Sequence, residues 1–435
     1  MALTESPEKR WQTILALVLS ALGIVYFVIQ AFGVGIIWLI SLFDTQTDMA
    51  VNIPNSLLVW ASLLSAMLLV PILWLSINRL RGKPAPAWLD GRRPWIRKGL
   101  LATLLIWPVA IGLGWWVAGQ PEWATFILGL FNILAAGIPV IWVYYLAQRK
   151  LVPGAIERKW QIFGFSLTAT PILIVATELI VLAAVGLTAF AVVLFLISIN
   201  PALEQTLTDI VDQLSSGQGM EVDLQILESY LKQPLVIFGL LAVMSGIIPL
   251  IEEILKPIAL WALAGKGLTD QEGFVAGLLC GAGFALLENL LYFMNVGTAE
   301  EWLFMVIGRA GTGVLHMFGS ALMGWGLART WREGKGAFLA LMTVLAVSFH
   351  GLWNGLAILG GLGPELVYGS TSTLGQRILF YLPLFGLLIL QITTLFLINR
   401  YFRKAKTASD NPSLTPSDEL DIPNSNSQEN LKEDL

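Results

Sequence analysis

The feature that most restricts this chain is a series of apolar runs, each long enough to cross a bilayer. A helix needs about 20 residues to span ~30 Å of hydrocarbon. The runs are 11–43, 56–77, 99–118, 123–147, 161–200, 235–264, 273–295, 302–328, 337–360 and 376–402. In lipid every backbone N–H and C=O must find its partner within the protein, so such runs dictate helices. The expected fold class is all-α: a polytopic membrane helix bundle with about ten transmembrane helices. Composition agrees, with 56% apolar and only 13% charged residues, where a soluble domain is about a quarter charged. A formal charge of −4 offers no basic surface for nucleic acid. Cys280 is the single cysteine, which excludes an internal disulfide and a cysteine-based zinc cluster.

Charge parity orients the bundle. If the N-terminus is cytoplasmic and every run crosses once, 22 of the 26 Lys and Arg fall on the cytoplasmic side. Only Lys232 and Arg377 fall opposite, and Lys256 and Arg309 lie inside runs. This asymmetry satisfies the positive-inside rule with both termini cytoplasmic. Splitting 161–200 into two crossings would invert every later loop, so it is read as one. The first run follows Lys9 and Arg10, has no small-residue cleavage site after it, and is expected to be a retained signal anchor.

Five units result. Residues 1–200 carry the N-terminal transmembrane helices. Residues 201–233 form an extracytoplasmic amphipathic loop, with Leu203, Leu207, Ile210, Val211 and Leu214 on one helical face. Residues 234–365 form a catalytic-type transmembrane core, and 366–406 the last transmembrane helix. Residues 407–435 read as a disordered, acidic cytoplasmic tail. Trp261, Trp302, Trp325 and Trp331 are expected to anchor the bundle at the membrane interface.

Ionisable groups at bilayer depth are costly and are functional hypotheses by default. The first half of the chain has almost none beyond Glu178. The next four runs carry Glu252, Glu253 and Lys256 in PLIEEILKPIALW, and Glu288 and Asn289 in GFALLENLLYF. They also carry Arg309 and His316 in GRAGTGVLHMFG, and His350 and Asn354 in SFHGLWNG. Both histidines of the protein belong to this set. Glu252 and Lys256, at i and i+4, are placed for an ion pair. Glu253 is turned about 100° from Glu252, so one carboxylate can be paired while the other faces a cavity. Arg309 reads as a counter-ion for a buried glutamate. Gly277 with Gly281, and Gly351 with Gly355, mark faces where helices approach closely. Rise per residue puts Glu252 and His316 some 10–15 Å in depth from Glu288 and His350, a gap that tilt and breaks at Pro249 and Pro257 would close.

Two chemistries suit such a set. Two imidazoles and a carboxylate can hold zinc and leave a position for water that another glutamate deprotonates. Alternatively no metal is needed: a glutamate activates water, a histidine assists, and Asn354 or a histidine stabilises the oxyanion. The HExxH motif is absent, so a metal would be assembled from separate helices. The rival class is a proton- or ion-coupled transporter with a midplane Glu/His/Arg relay. Confinement of the polar residues to one half of the chain favours the enzyme.

These motifs resemble the PrsW family of intramembrane proteases, distant relatives of the CAAX-processing and bacteriocin-processing group. The resemblance rests on Glu252-Glu253-x-x-Lys256, GFALLEN ending at Glu288 and Asn289, His316, and His350-x-x-Trp353-Asn354, in that order over about 235–360. It implies hydrolysis of peptide bonds in membrane-anchored proteins or peptides. It further implies that Glu252 or Glu253 activates water. His316, His350 and Glu288 would bind metal or stabilise the transition state, with Lys256, Asn289 and Arg309 in support. It leaves zinc and metal-free catalysis both open, and it places the protein in a prokaryotic plasma membrane.

Overall fold

The computed structural model describes residues 7–43, 49–86, 94–151, 154–199, 234–265, 267–295, 298–368 and 373–410. Among these residues the chain is helical, with no strand. Five long helices come first: α1 (Pro7–Ser41), α2 (Met49–Leu80), α3 (Pro94–Ala118), α4 (Pro121–Ala147) and α5 (Ile156–Ile199). After residue 233 come α6 (Pro234–Ala242), a π-helical turn (Val243–Ile247), α7 (Ile248–Leu255) and the short α8 (Ile258–Trp261). Then follow α9 (Asp270–Tyr292), α10 (Ala299–Glu333), α11 (Gly336–Tyr368) and α12 (Leu374–Asp410). The amphipathic loop expected over 201–233 lies outside the described residues. So does the tail beyond Asp410, and α12 itself runs past residue 406.

Among the described residues nine helices are long and apolar enough to cross a membrane. The exception among the long helices is α10, whose 35 residues include Glu300, Glu301, Arg309 and His316. It is packed against α9 and α11 and also against α3, α4 and α12, and from Gly311 to Gly324 every residue is buried. The 161–200 run is one helix, as charge parity requires. At ~1.5 Å per residue the 44 residues of α5 reach well beyond one bilayer thickness.

At the centre stands α9, buried continuously from Gly273 to Leu287. Glycine makes this possible. A methyl group at Gly277 would overlap the Ser320 carbonyl oxygen, and one at Gly281 the His316 carbonyl oxygen. The two backbones are therefore in direct contact, the small-residue seam used where lipid gives apolar side chains no advantage. Both helices start on a capping box, Thr269 with Glu272 and Thr298 with Glu301, which satisfies the first free N–H groups. Around this pair α5 and α4 pack on one side and α11 on the other, with α1, α2 and α3 outside them.

Trp302 is not an interface anchor. It is fully buried and donates from Nε1 to Asn132 Oδ1 at 2.7 Å. The ring fills the space beside Gly114 of α3, where any side chain would collide with it. Trp261, by contrast, is half exposed and stacks edge-on against Trp331.

Candidate active site

Two prolines shape the segment that carries the paired glutamates. Pro249 has no N–H and crowds the carbonyl four residues back, so the helix widens before it into the π turn. The Ile248 N–H bonds Val243 O, the i to i−5 pattern. Pro257 then stops α7 immediately after Lys256. Glu252 and Glu253 thus occupy the last turn of a helix only 8 residues long, and Lys256 caps its C-terminus. Its position is set by α11: a methyl group at Gly351 would overlap Ser245 O, and Asn354 Nδ2 donates to Met244 O at 2.8 Å.

Lys256 is fully enclosed and is the hub of the cluster. Its Nζ lies 2.8 Å from Glu252 Oε2, 2.8 Å from Glu253 Oε1 and 2.7 Å from His316 Nδ1. The second histidine joins through Glu253, with His350 Nδ1 at 2.8 Å from Oε1. His316 Nε2 reaches Glu288 Oε2 at 2.6 Å, and Arg309 Nη2 contacts the same oxygen at 2.5 Å. Arg309 is itself held by Asn289, whose Oδ1 accepts from Nε at 2.7 Å while its Nδ2 donates to the Arg309 carbonyl. The depth gap drawn from rise per residue is therefore closed: the imidazole centroids are 5.3 Å apart.

The two glutamates of the pair have different surroundings. Glu252 lines a cavity of about 410 Å³, shared with Glu178, Glu288, Arg309, His316 and His350. Glu253 is shut away from it: one oxygen bridges Lys256 and His350, and Oε2 is buried against Gly319 without a hydrogen bond. The counter-ion role expected of Arg309 and the Glu252–Lys256 pair are both present. Asn354 also lines the cavity, with its amide N–H spent on the π turn.

Some contributors were overlooked in the sequence. Phe284 sits edge-on to His316 and 4.8 Å from Lys256 Nζ; it lies one helical turn before Glu288, a spacing that marks it. Tyr292, one turn after Glu288, stacks under Arg309 at 4.3 Å. Thr312 Oγ1 accepts from Trp353 Nε1 at 3.1 Å and ties α10 to α11 next to both histidines. Glu178, which the sequence did single out, faces this cavity from α5, with Oε1 buried and unpartnered.

Among the described residues one group has a metal-binding arrangement: donor atoms of Glu252, His316 and His350, all buried, lie within 4.8 Å of one another. Two imidazoles and a carboxylate make a donor set of the kind used by hydrolytic zinc. The resemblance implied Glu288 as the carboxylate joining the two histidines; the group that converges contains Glu252, while Glu288 Oε2 meets His316 Nε2 and Arg309. The charge balance also suits a dication. Four carboxyl groups, Glu178, Glu252, Glu253 and Glu288, surround two basic side chains, Lys256 and Arg309, so the acidic groups outnumber the basic ones by two. The residues fit a divalent metal.

The fold and site together define a polytopic membrane protein with a buried hydrolase-type cluster of carboxylates and imidazoles. Residues 177–388 match the model of the PrsW family intramembrane metalloprotease. The match covers just under half of the chain, and over it the protein is a PrsW-like intramembrane protease. The match is wider than the motif block of 235–360, and it takes in Glu178 and the first part of α12, up to residue 388. No curated protein and no solved structure matches the chain. No observation among the described residues favours the transporter alternative.

Proposed function

We propose that the protein hydrolyses peptide bonds of membrane-anchored proteins or peptides in the cavity lined by Glu252, Glu288, His316 and His350. The convergence of Glu252, His316 and His350 from three helices carries this reading. These three residues would hold a divalent metal, zinc being the ion their chemistry suits best. When bound, such an ion polarises a carbonyl and lowers the pKa of water.

The remaining residues have distinct tasks. Glu253 accepts the His350 Nδ1 proton, which leaves Nε2 turned toward Glu252 at 3.9 Å. A carboxylate behind a histidine in this way orients the ring and raises its basicity as a ligand. Lys256 pairs with both glutamates of the pair and fixes their position against α10. Glu288 has Oε2 occupied by Arg309 and His316, so its other oxygen takes the proton from the attacking water and returns it to the leaving amine. Asn289 holds Arg309 in place, and Asn354 positions the π turn. An adjoining cavity of about 620 Å³ shares Tyr292, Arg309, Thr312, Asn354 and Ala357 with the first and reaches Glu301 and Arg377. An extended substrate strand would approach along it. A prokaryotic plasma membrane is the setting this reading assumes.

The test uses purified full-length protein in lipid with a membrane-anchored peptide. Glu252→Gln and His316→Ala should lose both cleavage and bound metal. Glu288→Gln should retain the metal and lose cleavage by at least ~10²-fold, the usual contribution of a general base. Full cleavage by Glu288→Gln, or undiminished metal content in Glu252→Gln, would overturn the assignment.

A further inference from the structure

A second cavity lies on the other side of the bundle, between α1, α2, α5 and the turn that follows α8. It measures about 130 Å³ and shares no residue with the active-site cavity. One end is polar: Gln12 in α1, Arg79 in the last turn of α2, and Arg158 and Gln161 in the first turns of α5. The other end is lined by Leu15, Leu19, Leu69 and Ile72. Along α2 the distance from Arg79 to Leu69 is about 15 Å of helix rise, so the lining changes from cationic to apolar along the helix axes. Arg79 and Arg158 both lie on the side to which charge parity assigns most of the basic residues, the side where anionic headgroups would be met.

We propose that this cavity binds a membrane phospholipid. Its phosphate would lie between Arg79 and Arg158, and the first acyl methylenes against Leu15, Leu19, Leu69 and Ile72. Arginine suits a phosphate because its planar fork donates two parallel hydrogen bonds. The polar end has donors to give. Arg158 touches Glu272 only at 3.5 Å, and the Gln161 amide nitrogen is buried without a hydrogen-bond partner. An apolar ligand would strand these donors, and a free phosphate would leave the aliphatic half of the cavity unused. A lipid satisfies both ends.

The position also gives the ligand a lever. Ala259, Ala262 and Leu263 form one wall, and Gln12 donates to the Ala262 carbonyl. This wall begins three residues after Lys256, across the break at Pro257. A lipid that fills the cavity would hold α8 against α1 and α5, and thereby the last turn of α7.

The test measures binding, so it stands apart from the protease assignment. Full-length protein is delipidated in detergent, and dioleoylphosphatidylglycerol, dioleoylglycerol or inorganic phosphate is added. Retained adducts are counted by native mass spectrometry, and the thermal midpoint is followed. We expect one tightly held phosphatidylglycerol, with an upward shift of the midpoint. The double variant R79Q/R158Q should bind it roughly thirtyfold more weakly. Ala16→Trp, which keeps both arginines but fills the cavity, should also lose the adduct. Wild-type affinity in both variants would overturn the site. Equal binding of dioleoylglycerol would overturn the phosphate contact, and equal stabilisation by inorganic phosphate alone would overturn the lipid.

Discussion

Lys256 shows how strongly one side chain can be committed in a dry site. A lysine enclosed among apolar helices is costly unless its charge is matched, and here Glu252, Glu253 and His316 all lie within hydrogen-bond distance. Lys256→Met should therefore destabilise the protein by about 3–5 kcal/mol, because two carboxylates lose their shared cation. Unfolding in a mild detergent titration checks this, and a loss under about 1 kcal/mol would show that the pair is solvated. Glu253 makes the complementary case. It touches no cavity, so Glu253→Gln should act through His350: metal affinity should fall by about 10–100-fold, with cleavage partly restored at high metal concentration. No rescue by metal would argue that Glu253 itself meets the substrate. The sequence showed that these residues belonged together by spacing alone, since Glu252 and Lys256 are one turn apart. It could not show that Glu252 faces the cavity and Glu253 does not, because that depends on what α10 and α11 present to α7.

At the scale of elements, the glycine seam between α9 and α10 decides where His316 stands. Gly281 meets the His316 backbone, so Gly281→Ala should push α10 outward at the active site itself. Cleavage should fall by about tenfold or more, the sensitivity expected when a group is displaced by a fraction of an ångström to 1 Å. Gly137→Ala in α4 is the control: nothing lies within 4 Å of the added methyl, and it should be silent. Equal effects from the two would remove the seam's special role. The π turn is a second such device. Asn354→Ala frees the Met244 carbonyl, which should loosen the turn and raise hydrogen exchange over 243–255 with little change in the rest of the fold. The break at Pro257 and the disturbance before Pro249 were legible in the sequence because proline chemistry is local. The π geometry was not, because the extra residue is accommodated only where Gly351 of α11 lets the two backbones touch.

Across the whole molecule, polar groups and lipid exposure are segregated. Of the helices that carry the site, α7, α9 and α11 each pack against α10, and α1 and much of α5 present apolar side chains outward. On the proposed metal site, chelation should remove activity without unfolding the bundle, because α9 and α10 are joined by direct backbone contact at Gly277 and Gly281. A chelator that abolishes cleavage while leaving helicity and the thermal midpoint nearly unchanged would meet this expectation. Collapse of the fold on chelation would contradict it.

Class, helix count to within one, and the membership of the polar cluster followed from the sequence by itself. The physical reason is that a bilayer imposes one length and one hydropathy on every span, and penalises each ionisable group that is left inside. Trp302 marks the limit of that reasoning, since an aromatic residue near a helix end serves equally at an interface or in a core. Only the tertiary structure decided that Asn132 and Gly114 were waiting for it. It alone brought His316 within reach of His350, made Glu252 rather than Glu288 the third member of the donor group, and gathered Arg79 and Arg158 around a separate cavity. Those outcomes depend on helix tilt, rotation and close approach, which are set by partners distant in the chain.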